Sequence, residues 1–109
     1  MLAIDCGGSR TRAGYYAPDG ALVSESEGGP ANPVAYGLHN TVDQISRLAK
    51  KLRIADGTHI AVGVAGVRND ENREALWAAV AHRFPATRIV VSDDQTPVLL
   101  ASRSVDGAT

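Results

Sequence analysis

The sequence has a single cysteine, Cys6. That excludes an intrachain disulfide framework and a cysteine-rich metal site. Aromatic residues make up only 5%, too few to stack a run of single-stranded bases. Neither sign of charge dominates: 11 Lys and Arg stand against 12 Asp and Glu, a formal net charge of −1. A neutral balance argues against electrostatic nucleic-acid binding, which needs a basic excess. No apolar run reaches the roughly 18–20 residues that would span a bilayer, and Met1 to Asp5 lack the basic n-region of a signal peptide. The expected setting is cytoplasmic, with no membrane or nucleic-acid partner. His39, His59 and His82 have no metal-ligand spacing, so zinc is not expected.

What is present is patterned. Met1–Cys6 is a short apolar run that stops at Gly7-Gly8, a pair suited to a hairpin turn. Thr11–Ala17 and Ala21–Glu27 follow, separated by Pro18-Asp19-Gly20, where Pro presets φ and Gly accepts a positive one. The loop Gly28–Pro33 comes next. Leu38, Val42, Ile45, Leu48 and Leu52 are then spaced 4, 3, 3 and 4, one apolar stripe of a helix. His59–Ala65 reads as a strand covered on both faces. Asn69 or Asp70 can cap a second helix that stops before Pro85, and Arg88–Ser92 reads as a further strand. Pro97 suits the first turn of a third helix, capped by Asp93 or Asp94. The order β-β-β-α-β-α-β-α predicts an α/β domain with a mixed five-stranded sheet and helices on its faces. Ligands of such sheets bind outside the carboxyl ends of the parallel strands. Asp5 with Gly7-Gly8, Ala65-Gly66 and Asp93 all fall there.

In Asp5-Cys6-Gly7-Gly8-Ser9-Arg10-Thr11, glycines can let backbone N–H groups approach a phosphate. Ser9 and Thr11 add hydroxyls, and Asp5 can hold Mg²⁺ through water. The same residues also suit an ordinary Gly-Gly hairpin with a polar tip. A P-loop is excluded, because no Gly-x-x-x-x-Gly-Lys-Ser/Thr run occurs. Asn32, between Pro30 and Pro33, offers either an Asx turn or an amide for sugar hydroxyls. Gly66 is either a plain strand-to-loop glycine or a point of close substrate approach. Trp77, beside Leu76, reads as a packing residue. Arg47, Lys50, Lys51 and Arg53 read as a solvated face, and Cys6 as a small buried hydrophobe.

Leu2–Arg12 resembles the first phosphate motif of the acetate and sugar kinase, Hsp70 and actin superfamily. Within it the sequence is most similar to the BadF/BadG/BcrA/BcrD-type ATPase family, which includes N-acetylglucosamine kinase. Gly28-Gly29-Pro30-Ala31-Asn32-Pro33 resembles that family's sugar-side loop. Gly63–Val67 resembles its Gly-Leu-Ala-Gly strand end, and Val90–Asp94 its second strand-end carboxylate segment. Cys6 stands where the family has glycine, Ser9 where it has threonine, and Asp94-Gln95 where small residues are common.

The resemblance implies a ribonuclease H-like fold and ATP with Mg²⁺ as cofactors. It implies phosphoryl transfer to an amino sugar such as N-acetylglucosamine or glucosamine. Gly7, Gly8, Ser9, Arg10 and Thr11 would hold nucleotide phosphate, Asp5 the Mg²⁺, and Asn32 and Gly66 the sugar. Asp93 would be the catalytic base while Asp94 caps the helix. It further implies a second domain with another phosphate loop and the adenosine site, neither of which occurs in these 109 residues. The chain is therefore expected to be the amino-terminal domain of a longer protein, inactive alone, whose parent is a possible homodimer. Two alternatives remain: the ATPase domain of a 2-hydroxyacyl-CoA dehydratase activator-type protein, and a non-catalytic regulatory or interaction domain.

Overall fold

A computed structural model describes residues 1–64, 70–85 and 87–92. Its elements are β1 (Leu2–Cys6), β2 (Thr11–Tyr16), β3 (Leu22–Gly28), α1 (Pro33–Tyr36), α2 (Leu38–Leu52), β4 (Ile60–Val64), α3 (Asp70–Arg83) and β5 (Ile89–Ser92). The strands form one sheet in the order β3-β2-β1-β4-β5. β1 pairs antiparallel with β2 and parallel with β4, and β4 pairs parallel with β5. The mixed five-stranded sheet expected from the sequence is therefore present. The third helix, and the Asp93 and Asp94 that would cap it, lie outside the described residues.

Turn chemistry sets the two hairpins. At Pro18-Asp19-Gly20, Gly20 takes φ 97°, a conformation that costs glycine little. The Asp19 carboxylate accepts from the Ala21 N–H at 3.0 Å, and the Gly20 N–H donates to Ala17 O at 2.9 Å. The first hairpin is wider than a two-residue turn. Gly7, Gly8, Ser9 and Arg10 all lie between β1 and β2, closed by the Gly7 N–H on Arg10 O at 3.0 Å.

Side-chain alternation then divides the sheet. Registered pairs put Leu2, Ile4 and Cys6 of β1 beside Ile60, Val62 and Val64 of β4 on one face. Ala3, Asp5, Ala61 and Gly63 point to the other. The large side chains are where helices can bury area, so α2 and α3 pack side by side on that face. Val42, Ile45 and Leu48 of α2 and Leu76 and Val80 of α3 join the same buried cluster. Both described long helices thus share one face, while on the other the central strands present the small residues Ala3, Ala61 and Gly63. Arg83 of α3 fixes the pair from outside, donating to Asp43 at 2.8 Å and to Ser46 at 3.2 Å on α2. That guanidinium, with His39, holds the Asp43 carboxyl below the usual carboxylate range.

The ends of α2 differ from each other. Gly37 precedes it with no side-chain cap, while its C-cap Arg53 sits left-handed at φ 51°. Left-handed backbone is costly for a side chain with a Cβ, and it lets the Arg53 N–H close on Lys50 O. Both edge strands are guarded. β3 presents Glu25 and Glu27 to solvent, which discourages strand addition. On β5, the indole N–H of Trp77 donates to Ile89 O at 3.0 Å. Trp77 remains 47% exposed, so it is a half-buried anchor with a polar handle rather than a purely apolar packing residue. Arg47, Lys50, Lys51 and Arg53 are exposed, as a solvated face requires.

Leu48 is 1% exposed and belongs to the buried cluster that the helices form with the sheet. Leu48→Ala should lower the unfolding free energy by about 3 kcal/mol through lost burial and a residual cavity. Urea denaturation followed by circular dichroism measures it.

Candidate functional site

β1, β4 and β5 run the same way and end at one sheet edge. Immediately beyond β1 lies the loop Gly7–Arg10, with Gly8, Ser9 and Arg10 exposed. Its two glycines have different reasons. A Cβ on Gly7 would lie 2.7 Å from Arg10 O, whereas one on Gly8 would meet nothing within 4 Å. Gly7 is therefore demanded by the closure of the loop, and Gly8 leaves an open approach to the backbone.

Asp5 occupies the last outward-facing position of β1. Its register neighbours are Arg12 on β2 and Gly63 on β4, and Gly63 in turn pairs with Ser92. Arg12 and Arg10 both reach Glu27, at 3.5 and 3.8 Å, with all three side chains more than half exposed. Exposed pairs of this kind add little stability; here they flank the loop with cations. Cys6 is not part of the turn. It is the last residue of β1, 1% exposed, in the helix-covered cluster. Burial, with a smaller contribution from the Asp5 charge, pushes its thiol up from 9.0 to about 12. A thiol in that state is a hydrophobe, not a nucleophile.

A second segment is stitched to the first. Thr11 is fully buried, and its hydroxyl donates to Gly29 O at 2.8 Å. The Ala31 N–H donates to Gly7 O at 3.1 Å, and the Tyr36 hydroxyl donates to Gly8 O at 3.2 Å. The expected loop 28–33 thus runs into a short helix, α1, whose Tyr36 reaches the loop Gly7–Arg10. Asn32 is its N-cap: the amide oxygen accepts from Val34 N at 2.9 Å and Ala35 N at 3.1 Å, with Pro33 at the first helical position. The Asx-type geometry anticipated for Asn32 is therefore present.

Asp5, Gly7, Gly8, Ser9, Arg10 and Asn32 come together at this edge. Thr11 sits beneath them as a tie. Gly66 and Asp93 lie outside the described residues. Sequence reasoning missed Tyr36, whose partner is 28 positions away; the Asn-Pro pair that caps its helix was the one local signal. A cleft of about 930 Å³ lies elsewhere among the described residues, at the opposite sheet edge between the C-terminal ends of α2 and α3. Its cations Lys50, Arg53 and Arg83 sit where helix carbonyls attract positive charge. It too has an open glycine, Gly57 at φ 78°, but it lies away from the carboxyl ends of the parallel strands, where ligands of such sheets bind. Among the described residues, no helix is long and apolar enough to cross a membrane, and no three His, Cys, Asp or Glu converge to hold a metal unaided.

No protein-family model and no curated protein matches the sequence. Solved structures do. A ROK family glucokinase from Streptomyces griseus, in complex with glucose and AMPPNP, superposes with a TM-score of 0.63 at 22% identity over 85% of this chain. An activator of the 2-hydroxyisocaproyl-CoA dehydratase from Clostridium difficile with bound ADPNP gives 0.59 at 13% identity over 99%. The chain spans 33% and 62% of those two proteins. The likeness establishes the fold, a ribonuclease H-like mixed sheet with helices.

Two predictions follow from the geometry. Gly7→Ala should cost about 1–3 kcal/mol, as overpacking does, and Gly8→Ala should be within about 0.5 kcal/mol of neutral, as at open surface positions; thermal unfolding of the pair checks this. A thiol whose folded pKa is raised supports the fold fully below its unfolded value and loses that support as pH rises through the folded one. Stability should therefore fall between pH 9.0 and about 12, and Cys6 should react with a disulfide reagent at pH 8 only after denaturation.

Proposed function

We propose that this chain is the nucleotide-phosphate and sugar-binding half of an ATP-dependent sugar kinase of the BadF/BadG/BcrA/BcrD type, acting on an amino sugar such as N-acetylglucosamine or glucosamine. The observation that carries the reading is the pair of hydrogen-bonded loops, 7–11 and 29–36, at the carboxyl edge of the parallel strands. The fold likeness to a glucokinase that holds glucose and AMPPNP supports it.

The residues present suit a nucleotide phosphate. Backbone at Gly8 is open to close approach, and Arg10 and Arg12 bring positive charge beside it. Asp5 is the carboxylate nearest the loop in sequence and would hold Mg²⁺ through water, with the remaining ligands coming from phosphate oxygens and solvent. That ion, when bound, neutralises charge developing on the transferred group. Ser9 adds a hydroxyl donor at the loop tip. Asn32, fixed by its own helix cap, stands at the entrance on the sugar side, with Gly66 assigned to the same side. Asp93, next in sequence after β5, takes the base role. It orients the acceptor hydroxyl and receives its proton late in a loose phosphoryl transfer. A second domain of the same protein would supply the other phosphate loop and the adenosine site, in a cytoplasmic enzyme.

One observation favours a second reading. The dehydratase activator with bound ADPNP matches over 99% of this chain, in keeping with an ATPase that drives a partner instead of phosphorylating a sugar. Sugar dependence separates the two. In the parent protein, N-acetylglucosamine or glucosamine should stimulate ADP release. Asp93→Asn should reduce that release at least about 100-fold, the usual weight of general base catalysis, while ATP binding persists. ADP release indifferent to any sugar would favour the activator reading, and near-normal turnover in Asp93→Asn would remove that residue from the base role. The 109-residue chain alone should show no turnover.

A further inference from the structure

The hydroxyl of Tyr36 serves no element of its own helix. It crosses to Gly8 O in the loop beyond β1, at 3.2 Å, while its ring stays 48% exposed. Just before it, the Ala31 N–H holds Gly7 O at 3.1 Å. Two consecutive carbonyls of the loop are thus drawn toward the 31–36 segment.

A trans peptide is planar, and its C=O and N–H point in opposite directions. Holding Gly7 O on one side therefore aims the Gly8 N–H to the other. Holding Gly8 O does the same for the Ser9 N–H. The Gly7 N–H is spent on Arg10 O, closing the loop. Among the described residues, neither the Gly8 nor the Ser9 N–H donates to a backbone carbonyl. Both are aimed away from the covering helix, on a stretch where a Cβ at Gly8 meets nothing within 4 Å. Successive N–H groups aimed one way are what a phosphate needs.

We propose that Tyr36 is a positioning residue for phosphate binding: its hydroxyl, by fixing the Gly8 carbonyl, turns the Ser9 N–H toward the ligand, as the Ala31 N–H does for the Gly8 N–H. This rests on the reading of residues 7–11 as a nucleotide-phosphate loop. Without the hydroxyl, the 8–9 peptide rotates freely and one of two phosphate donors is lost for part of the time. The ring itself does not touch the phosphate.

The test uses the ¹⁵N-labelled 109-residue chain titrated with Mg-ATP and, separately, with adenosine. The Gly8 and Ser9 amides are followed in the wild type, in Tyr36→Phe and in Val34→Ala. Phenylalanine keeps the exposed ring and removes only the hydroxyl, so the fold is retained. Val34→Ala changes a 66% exposed neighbour on the same helix. ATP should shift both amides in the wild type and in Val34→Ala. Tyr36→Phe should bind ATP about three- to tenfold more weakly, the weight of one hydrogen bond, with Ser9 affected more than Gly8. Adenosine, which carries no phosphate and whose site the second domain would supply, should shift neither amide in either protein. Equal ATP affinity in Tyr36→Phe, or the same loss in Val34→Ala as in Tyr36→Phe, overturns the proposal and leaves the loop reading standing. If ATP moves neither amide in the wild type, the loop reading itself fails and the proposal falls with it.

Discussion

Everything at the site depends on β1 being paired on both sides. β2 comes back antiparallel on one flank and β4 lies parallel on the other, with every residue of β1 in register with both. Leu2 and Ile4 are fully buried and Cys6 nearly so. A shift of one residue would turn these toward the opposite face and bring Asp5 into the core. The register is thus held by hydrophobic burial and, by the same alternation, it fixes Asp5 outward at the strand end. The ammonium of Met1 adds a tie at the other end, donating to Tyr16 O at 2.7 Å. Where the strand stops, Gly7 must begin the loop, because only a residue without a Cβ tolerates Arg10 O so near.

The loop is unusual in being held from outside its own hairpin. A four-residue connection with one internal backbone bond would be mobile in isolation. Three contacts from the 29–36 segment restrain it, one at each of Gly7, Gly8 and Thr11. The covering segment has its own support: Asn32 caps α1, and Ala31 is fully buried. Thermodynamic linkage follows from this arrangement. A ligand that steadies one loop steadies the other, and the factor is the same in both directions.

Much of this was legible in the sequence because it is local. The Pro-Asp-Gly turn, the 4-3-3-4 stripe of α2 and the apolar β4 run each announce their element by chemistry or period. The burial of Cys6 follows from alternation along β1. The same alternation places Thr11 with Ala13 and Tyr15 on the inner face, so its hydroxyl was always more suited to tie the sheet than to meet a phosphate. What the sequence could not reveal is tertiary. Gly28–Pro33 reads as a loop, and only packing against the first hairpin shows that Asn32 opens a helix there. The Tyr36 contact joins residues 28 apart with no periodic signature. The sharing of one sheet face by α2 and α3 follows from comparing side-chain volume on the two faces, which requires the register.

Trp77 has a consequence beyond guarding an edge. It is the chain's single tryptophan, and its indole is bonded to the strand whose last residue, Ser92, immediately precedes Asp93. Indole emission responds to the polarity around the ring and to its hydrogen bond. The protein therefore carries a built-in optical probe, half in solvent and half on β5. Its fluorescence reports on that strand without any label, and any ligand that pulls on the strand's end will change its colour or intensity.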